Sequence, residues 1–137
     1  MYIVFKKPIP EVLALALQAA TPEERAKLLK EHDCEALREV LRYGLDPSVE
    51  FGVAKIPSYK ISQLPAGHHP SNLWIEARRL YVFLKTSTVP MKRQLAILTQ
   101  ILETMSPEES QMYEDILTRQ FAVKYADLAA ISASLMH

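Results

Sequence analysis

The chain has 137 residues, with 16 basic and 16 acidic side chains and no net formal charge, which excludes a protein that coats nucleic acid by bulk electrostatics. A length of about 140 residues suits a single domain, here 1–137, that buries roughly two thirds of its unfolded surface. The single cysteine, Cys34, excludes an internal disulfide or a cysteine-rich zinc site and reads as a small buried hydrophobe.

The opening "MYIVFKKPIPEVLALALQAATPEE" sets two lysines before an apolar run, the layout of a secretory leader. Pro8, Pro10 and Glu11 interrupt that layout, and no run reaches the ~18 apolar residues of a membrane span. A cytoplasmic protein with no membrane partner is expected.

Periodicity predicts an all-α fold of six or seven short to medium helices. A first helix over about Pro10 to Ala20 buries Leu13 and Leu17. The second, over 22–32, starts at "TPEE", where the Thr21 hydroxyl can cap, proline suits the first helical position and Glu24 completes a capping box. It offers Ala26, Leu28 and Leu29 to a core. The third begins near Asp33, shows Ala36, Leu37, Val40 and Leu41 on one face, and is closed by Gly44. Short turns imply that these three helices, 10–44, form a local antiparallel cluster.

Residues 45–71, "LDPSVEFGVAKIPSYKISQLPAGHHPS", hold four of the nine prolines and two of the three glycines. They predict a long irregular loop, with short strands around Val49 to Val53 and Ser58 to Ile61 as an alternative. The adjacent His68 and His69 lack further ligands at a supporting spacing, so they read as solvated loop residues, and neither a metal nor a cofactor is expected.

The helical remainder, 72–136, begins with Leu73, Trp74, Ala77, Leu80, Tyr81 and Leu84 at helical spacing behind a Ser71 cap. Pro90 opens the next helix, with Met91, Leu95, Leu98, Leu102 and Met105 as its core stripe. The second capping box, "SPEE" from Ser106 to Glu109, starts a helix that buries Met112, Tyr113, Ile116 and Leu117. A last helix from about Tyr125 carries Leu128, Ile131 and Leu135. The pairs Glu108–Glu109 and Glu114–Asp115 diverge around a helix and read as caps and solvated faces rather than an acid and base.

No phosphate-cradling glycine loop, nucleophile elbow or nucleotidyl-transfer lysine motif occurs, so the chain is not expected to be an enzyme. Charge is unevenly spread. Residues 1–50 are net −2, residues 51–102 net +6 and residues 103–137 net −4. Arg78, Arg79, Lys85, Lys92 and Arg93, with Arg119 and Lys124 further on, are the candidate phosphate contacts, and Arg78 and Lys85, seven apart, would share an azimuth on one α-helix.

The words "LLKEHDCEALREVLRYGLDPSVEFGV", "EARRLYVFLKT" and "QLAILTQILETMSPEESQMYEDILTRQF" resemble a family of small tailed-phage proteins without assigned function. The same order is more remotely similar to the N-terminal DNA-binding domain of ATP-dependent DNA ligases, through "EFGVAKI" at 50–56, the "SPEE" helix and the following "TRQFAVKYADLAAISASL". That resemblance implies an all-helical module that grips duplex DNA through backbone phosphates, in the host bacterial cytoplasm if it is a phage protein. Where the ligase pattern has glycines, this chain has Arg119 and Lys124, which would replace amide contacts with charge-assisted ones. The leading expectation is therefore nonspecific duplex contact by an accessory protein. Its rival is a protein-binding module that captures a host or phage replication, transcription or defence factor, anchored by Phe51, Ile56 and Tyr59.

Overall fold

A computed structural model describes residues 7–53, 55–65 and 68–129. Among the described residues, seven α-helices and two 3-10 segments are named and no sheet occurs. The all-α expectation holds. The helices are α1 (Ile9–Gln18), α2 (Pro22–Glu31), α3 (Glu35–Leu45), α4 (Leu73–Glu76), α5 (Met91–Thr104), α6 (Pro107–Leu117) and α7 (Gln120–Lys124). The 3-10 segments are Ala77–Phe83 and Ala126–Leu128.

Both predicted capping boxes start helices where the sequence places them. Thr21 Oγ1 accepts from the Glu24 amide at 3.2 Å and Ser106 Oγ from the Glu109 amide at 3.3 Å. The glutamates act differently from a closed box. Glu24 accepts from the Ala20 amide. Glu109, buried, accepts from the Ser106 hydroxyl with one oxygen and from the Leu73 amide, at 2.6 Å, with the other. A cap of α6 is thereby also the clamp on the first turn of α4.

The N-terminal helices do not form a self-contained cluster. α1 packs on α2, but α3 lies against the 77–83 segment, α6 and α7, and α1 also meets α6. The buried side chains of both halves form one continuous core, with Leu13, Leu37, Leu41, Leu80, Phe83, Leu98, Tyr113 and Phe121 at 1% exposure or less. The reason is amphipathicity. α3 has a strong apolar face, while α2 buries only Leu29 and remains a solvated outer helix.

Gly44 does not terminate α3. It lies inside the helix, buried, and a Cβ there would collide with the Phe121 ring, so its role is close approach of α3 to α7. At the other end α3 starts at Glu35, two residues after Asp33, and its cap is Cys34, whose Sγ accepts from the Leu37 amide at 3.3 Å.

The predicted Trp74 helix is one α turn followed by seven residues of 3-10 structure. Ala77, Leu80 and Phe83 are buried, a spacing of three that matches 3-10 winding, whereas Tyr81 is 60% exposed. Ser71 is not the cap. Asn72 Oδ1 accepts from the Ile75 amide, and the Ser71 hydroxyl donates to Glu76 instead. In α5 the buried set is Gln94, Leu98, Ile101 and Leu102, followed by Met105, while Met91 is exposed. Of the last helix expected from about Tyr125, the described residues hold only the 3-10 turn Ala126–Leu128 and Ala129, and the five-residue α7 precedes it. Ile131 and Leu135 lie outside the described residues.

The long loop is irregular, as expected. Of the two strand alternatives, 49–53 contributes a single antiparallel bridge, Phe51 to Leu84, and 58–61 contributes none. The bridge is closed by the Gly52 amide on the Phe83 carbonyl and the Lys85 amide on the Glu50 carbonyl, both at 2.9 Å.

Candidate nucleic-acid interface

The seven cations divide by what their side chains touch. Arg78, Arg79, Lys85, Lys92 and Arg93 are exposed. Among the described residues, only two of these five have an ion-pair partner: Lys85 Nζ lies 3.6 Å from Glu50, and Arg79 lies 3.8 Å from Glu76. Such pairs at the surface contribute little, because water screens them. Arg78 and Lys85 do not share a helical face, since 3-10 winding rotates residues seven apart out of register and Lys85 lies beyond the Phe83 end.

Arg119 and Lys124 are held differently. Arg119 has a left-handed backbone, φ 67°, just before α7. Its guanidinium donates to the Tyr43 carbonyl at 2.6 Å and the Asp46 carbonyl at 2.8 Å. These are carbonyls at the C-terminal end of α3, where orphan acceptors and the negative end of the dipole favour a cation. Lys124 Nζ donates to Asp115 at 2.7 Å, and that bond holds the lysine in its charged form, raising its pKa. Asp115, read from sequence as solvated, is buried.

A cleft of about 550 Å³ opens where the loop bridge meets the α6–α7 corner. Glu50, Phe51, Gly52, Lys85 and Arg119 line it. Here the fold joins residues of both predicted sets, since Lys85 and Arg119 come from the phosphate-contact set and Phe51 from the protein-binding set. The Phe51 ring also meets Tyr43 at a centroid distance of 6.1 Å. Gly52 lies between the Lys85 backbone and the tip of Met91, the residue before Lys92. The start of α5, with its two first-turn cations, is thereby brought beside the cleft.

Phe51, Ile56 and Tyr59 are partly buried and pack against the core. Tyr59 donates its hydroxyl to Glu114, and the next residue, Lys60, donates its amide to Glu103 at 2.7 Å. Burial, and then the Glu114 carboxylate, raises the Tyr59 pKa. These bonds strap the middle of the loop to α5 and α6. Glu50 and Glu103 were missed in the sequence, and Glu114 was read there as part of a solvated face. Their neighbours in space are 35, 43 and 55 positions away along the chain, so no local spacing could mark them.

His69 Nδ1 lies 2.9 Å from Ser62 Oγ, and His68 is exposed. Among the described residues no three His, Cys, Asp or Glu side chains are grouped as metal ligands, and no helix is long and apolar enough to cross a membrane.

No curated protein and no solved structure matches the chain. Residues 12–122 match a family of unknown function, DUF6433, a span that runs from α1 through the core and cleft to α7. On that match over most of its length, the chain belongs to the DUF6433 family of unknown function.

Proposed function

We propose that the chain contacts duplex DNA through backbone phosphates without reading sequence, as an accessory protein with no covalent chemistry of its own. One observation carries this reading. Arg78, Arg79, Lys85, Lys92 and Arg93 are all exposed, and among the described residues only Arg79 and Lys85 have a carboxylate partner, at 3.8 and 3.6 Å. Lys92 and Arg93 add weight, because cations in the first turn of α5, with no acidic residue there, oppose the helix dipole. An anion at that end relieves the opposition. The remote resemblance to the ligase DNA-binding domain supports the same role, and the resemblance to small tailed-phage proteins would set it in a bacterial cytoplasm.

The test is binding of the full chain to a labelled blunt duplex across a salt series. Five phosphate contacts make log affinity fall by about 4 to 5 units per tenfold rise in salt. Replacing Lys92 and Arg93 by glutamine lowers that slope by about 2. Absence of binding at about 50 mM salt overturns the proposal.

In the protein-docking alternative, the partly buried Phe51, Ile56 and Tyr59 are joined by more exposed apolar residues of the loop. Ile61 and Leu64, at 57% and 49% exposure, are the apolar loop side chains that reach solvent. A stoichiometric host or phage partner that survives a salt wash and is lost on replacing both by serine supports this alternative.

A further inference from the structure

The open cleft between the loop bridge and the α6–α7 corner combines features that phosphate contact alone does not need. Its volume, about 550 Å³, falls within the range of small-ligand pockets. An aromatic residue, the partly buried Phe51, and two cations, Lys85 and Arg119, share the lining. Arg119 is fixed by its two carbonyl bonds, which use only part of the guanidinium's donor set and leave its charge in place. Lys85 is anchored through its backbone, and its side chain is 71% exposed and only loosely paired with Glu50. An arriving phosphate therefore competes with one weak, screened partner.

An aromatic face beside cations is the pairing that holds nucleotides of a single strand, the base stacking while the phosphate is neutralised. A recess of this kind does not suit a base inside a duplex, which must first leave its stack and its partner at an energetic cost. We propose that this cleft receives one unpaired nucleotide of a DNA strand, its phosphate between Lys85 and Arg119 and its base against Phe51. The proposal rests on the DNA-contact reading above and narrows it: the exposed cations hold the duplex, and the cleft selects sites where a strand is unpaired.

The experiment compares a blunt duplex with the same duplex carrying a short unpaired thymidine tail, by fluorescence anisotropy with the full chain. The tailed duplex binds about tenfold tighter. Phe51→Leu and Lys85→Gln each reduce that preference to about twofold or less, and Glu50→Gln increases affinity for the tail by about two- to fivefold, because a like charge leaves the cleft. Lys85 and Glu50 are exposed, so the test stands even where the Phe51 variant folds poorly. Equal affinity for both duplexes, or a preference unchanged in Lys85→Gln, overturns the cleft assignment alone. Binding of the tailed duplex without any binding of the blunt one overturns the general duplex reading and leaves the cleft standing. Absence of binding to either overturns both.

Discussion

Arg119 illustrates how a residue's chemistry is decided by what it faces. By charge alone it reads as a phosphate contact, and its guanidinium also bridges two carbonyls at the end of α3, which fixes where that charge stands in the cleft. Charge-assisted bonds contribute about 1.5–3 kcal/mol each when buried, and less here because the site is only partly so. Arg119→Ala is expected to lower stability by about 3 kcal/mol in urea unfolding. Arg119→Gly should cost about 1 kcal/mol less, since glycine accepts the left-handed backbone that alanine resists. A loss below about 0.5 kcal/mol in both would remove the strut from the account. Gly44 makes a second case. Alanine there gains helix propensity of about 1 kcal/mol but collides with the buried Phe121 ring, for a net loss of about 1–3 kcal/mol. Pairing Gly44→Ala with Phe121→Leu should recover part of that loss, a coupling that a double-mutant cycle in urea measures directly.

The helices show the limits of local rules in a graded way. α2 and α6 begin where their capping boxes stand, because an N-cap is satisfied within one turn of chain. The two caps are not equivalent, however. Thr21 serves α2 alone at an exposed site, whereas the Ser106 hydroxyl also donates to Glu109, which in turn holds the Leu73 amide. Thr21→Ala should therefore cost about 0.5–1 kcal/mol and Ser106→Ala about 1.5–2 kcal/mol, compared by thermal unfolding. Equal losses would mean that the link between α6 and α4 carries no weight. The segment after α4 follows its own spacing of three rather than the α period, and this winding separates Arg78 from Lys85.

Over the whole molecule, phenols fasten segments remote in sequence, α6 to α4 and the loop to α6. Tyr113, fully buried, donates to the Glu76 carbonyl at 3.0 Å, and Tyr59 donates to the Glu114 carboxylate. Burial raises both phenol pKa values, and for Tyr59 the neighbouring carboxylate adds to it. A raised folded-state pKa means that the fold favours the protonated phenol. The resulting stabilisation is complete below the unfolded value of about 10 and is lost as pH rises towards the folded values. The free energy of unfolding from urea melts should stay level to about pH 9 and fall above about pH 10, by at most roughly 1.4 kcal/mol per pH unit for each such tyrosine. Tyr59→Phe keeps the ring and should flatten the alkaline slope by about one proton's share. An unchanged slope in that variant would show that the strap does not couple to folding.

The all-α class, the capped starts of α2 and α6, the irregular stretch after α3 and most of the core stripe were legible in the chain, because propensity, caps and amphipathic spacing act over a few residues. What lay beyond reading depends on partners remote in sequence. Asp115 against Lys124, Glu114 against Tyr59 and Arg119 against the end of α3 arise only when the helices pack, and that packing turns surface-looking charges into internal fastenings. Gly44, read as a helix stop, is needed instead because α7 presses Phe121 against it. The cleft joining Phe51, Lys85 and Arg119 belongs to the same class, since its lining residues come from three segments that a single bridge and one guanidinium bring together. Local patterns encode where helices form, and long-range packing assigns each charge its partner, because Coulomb and hydrogen-bond energies depend on distance in space and not along the chain.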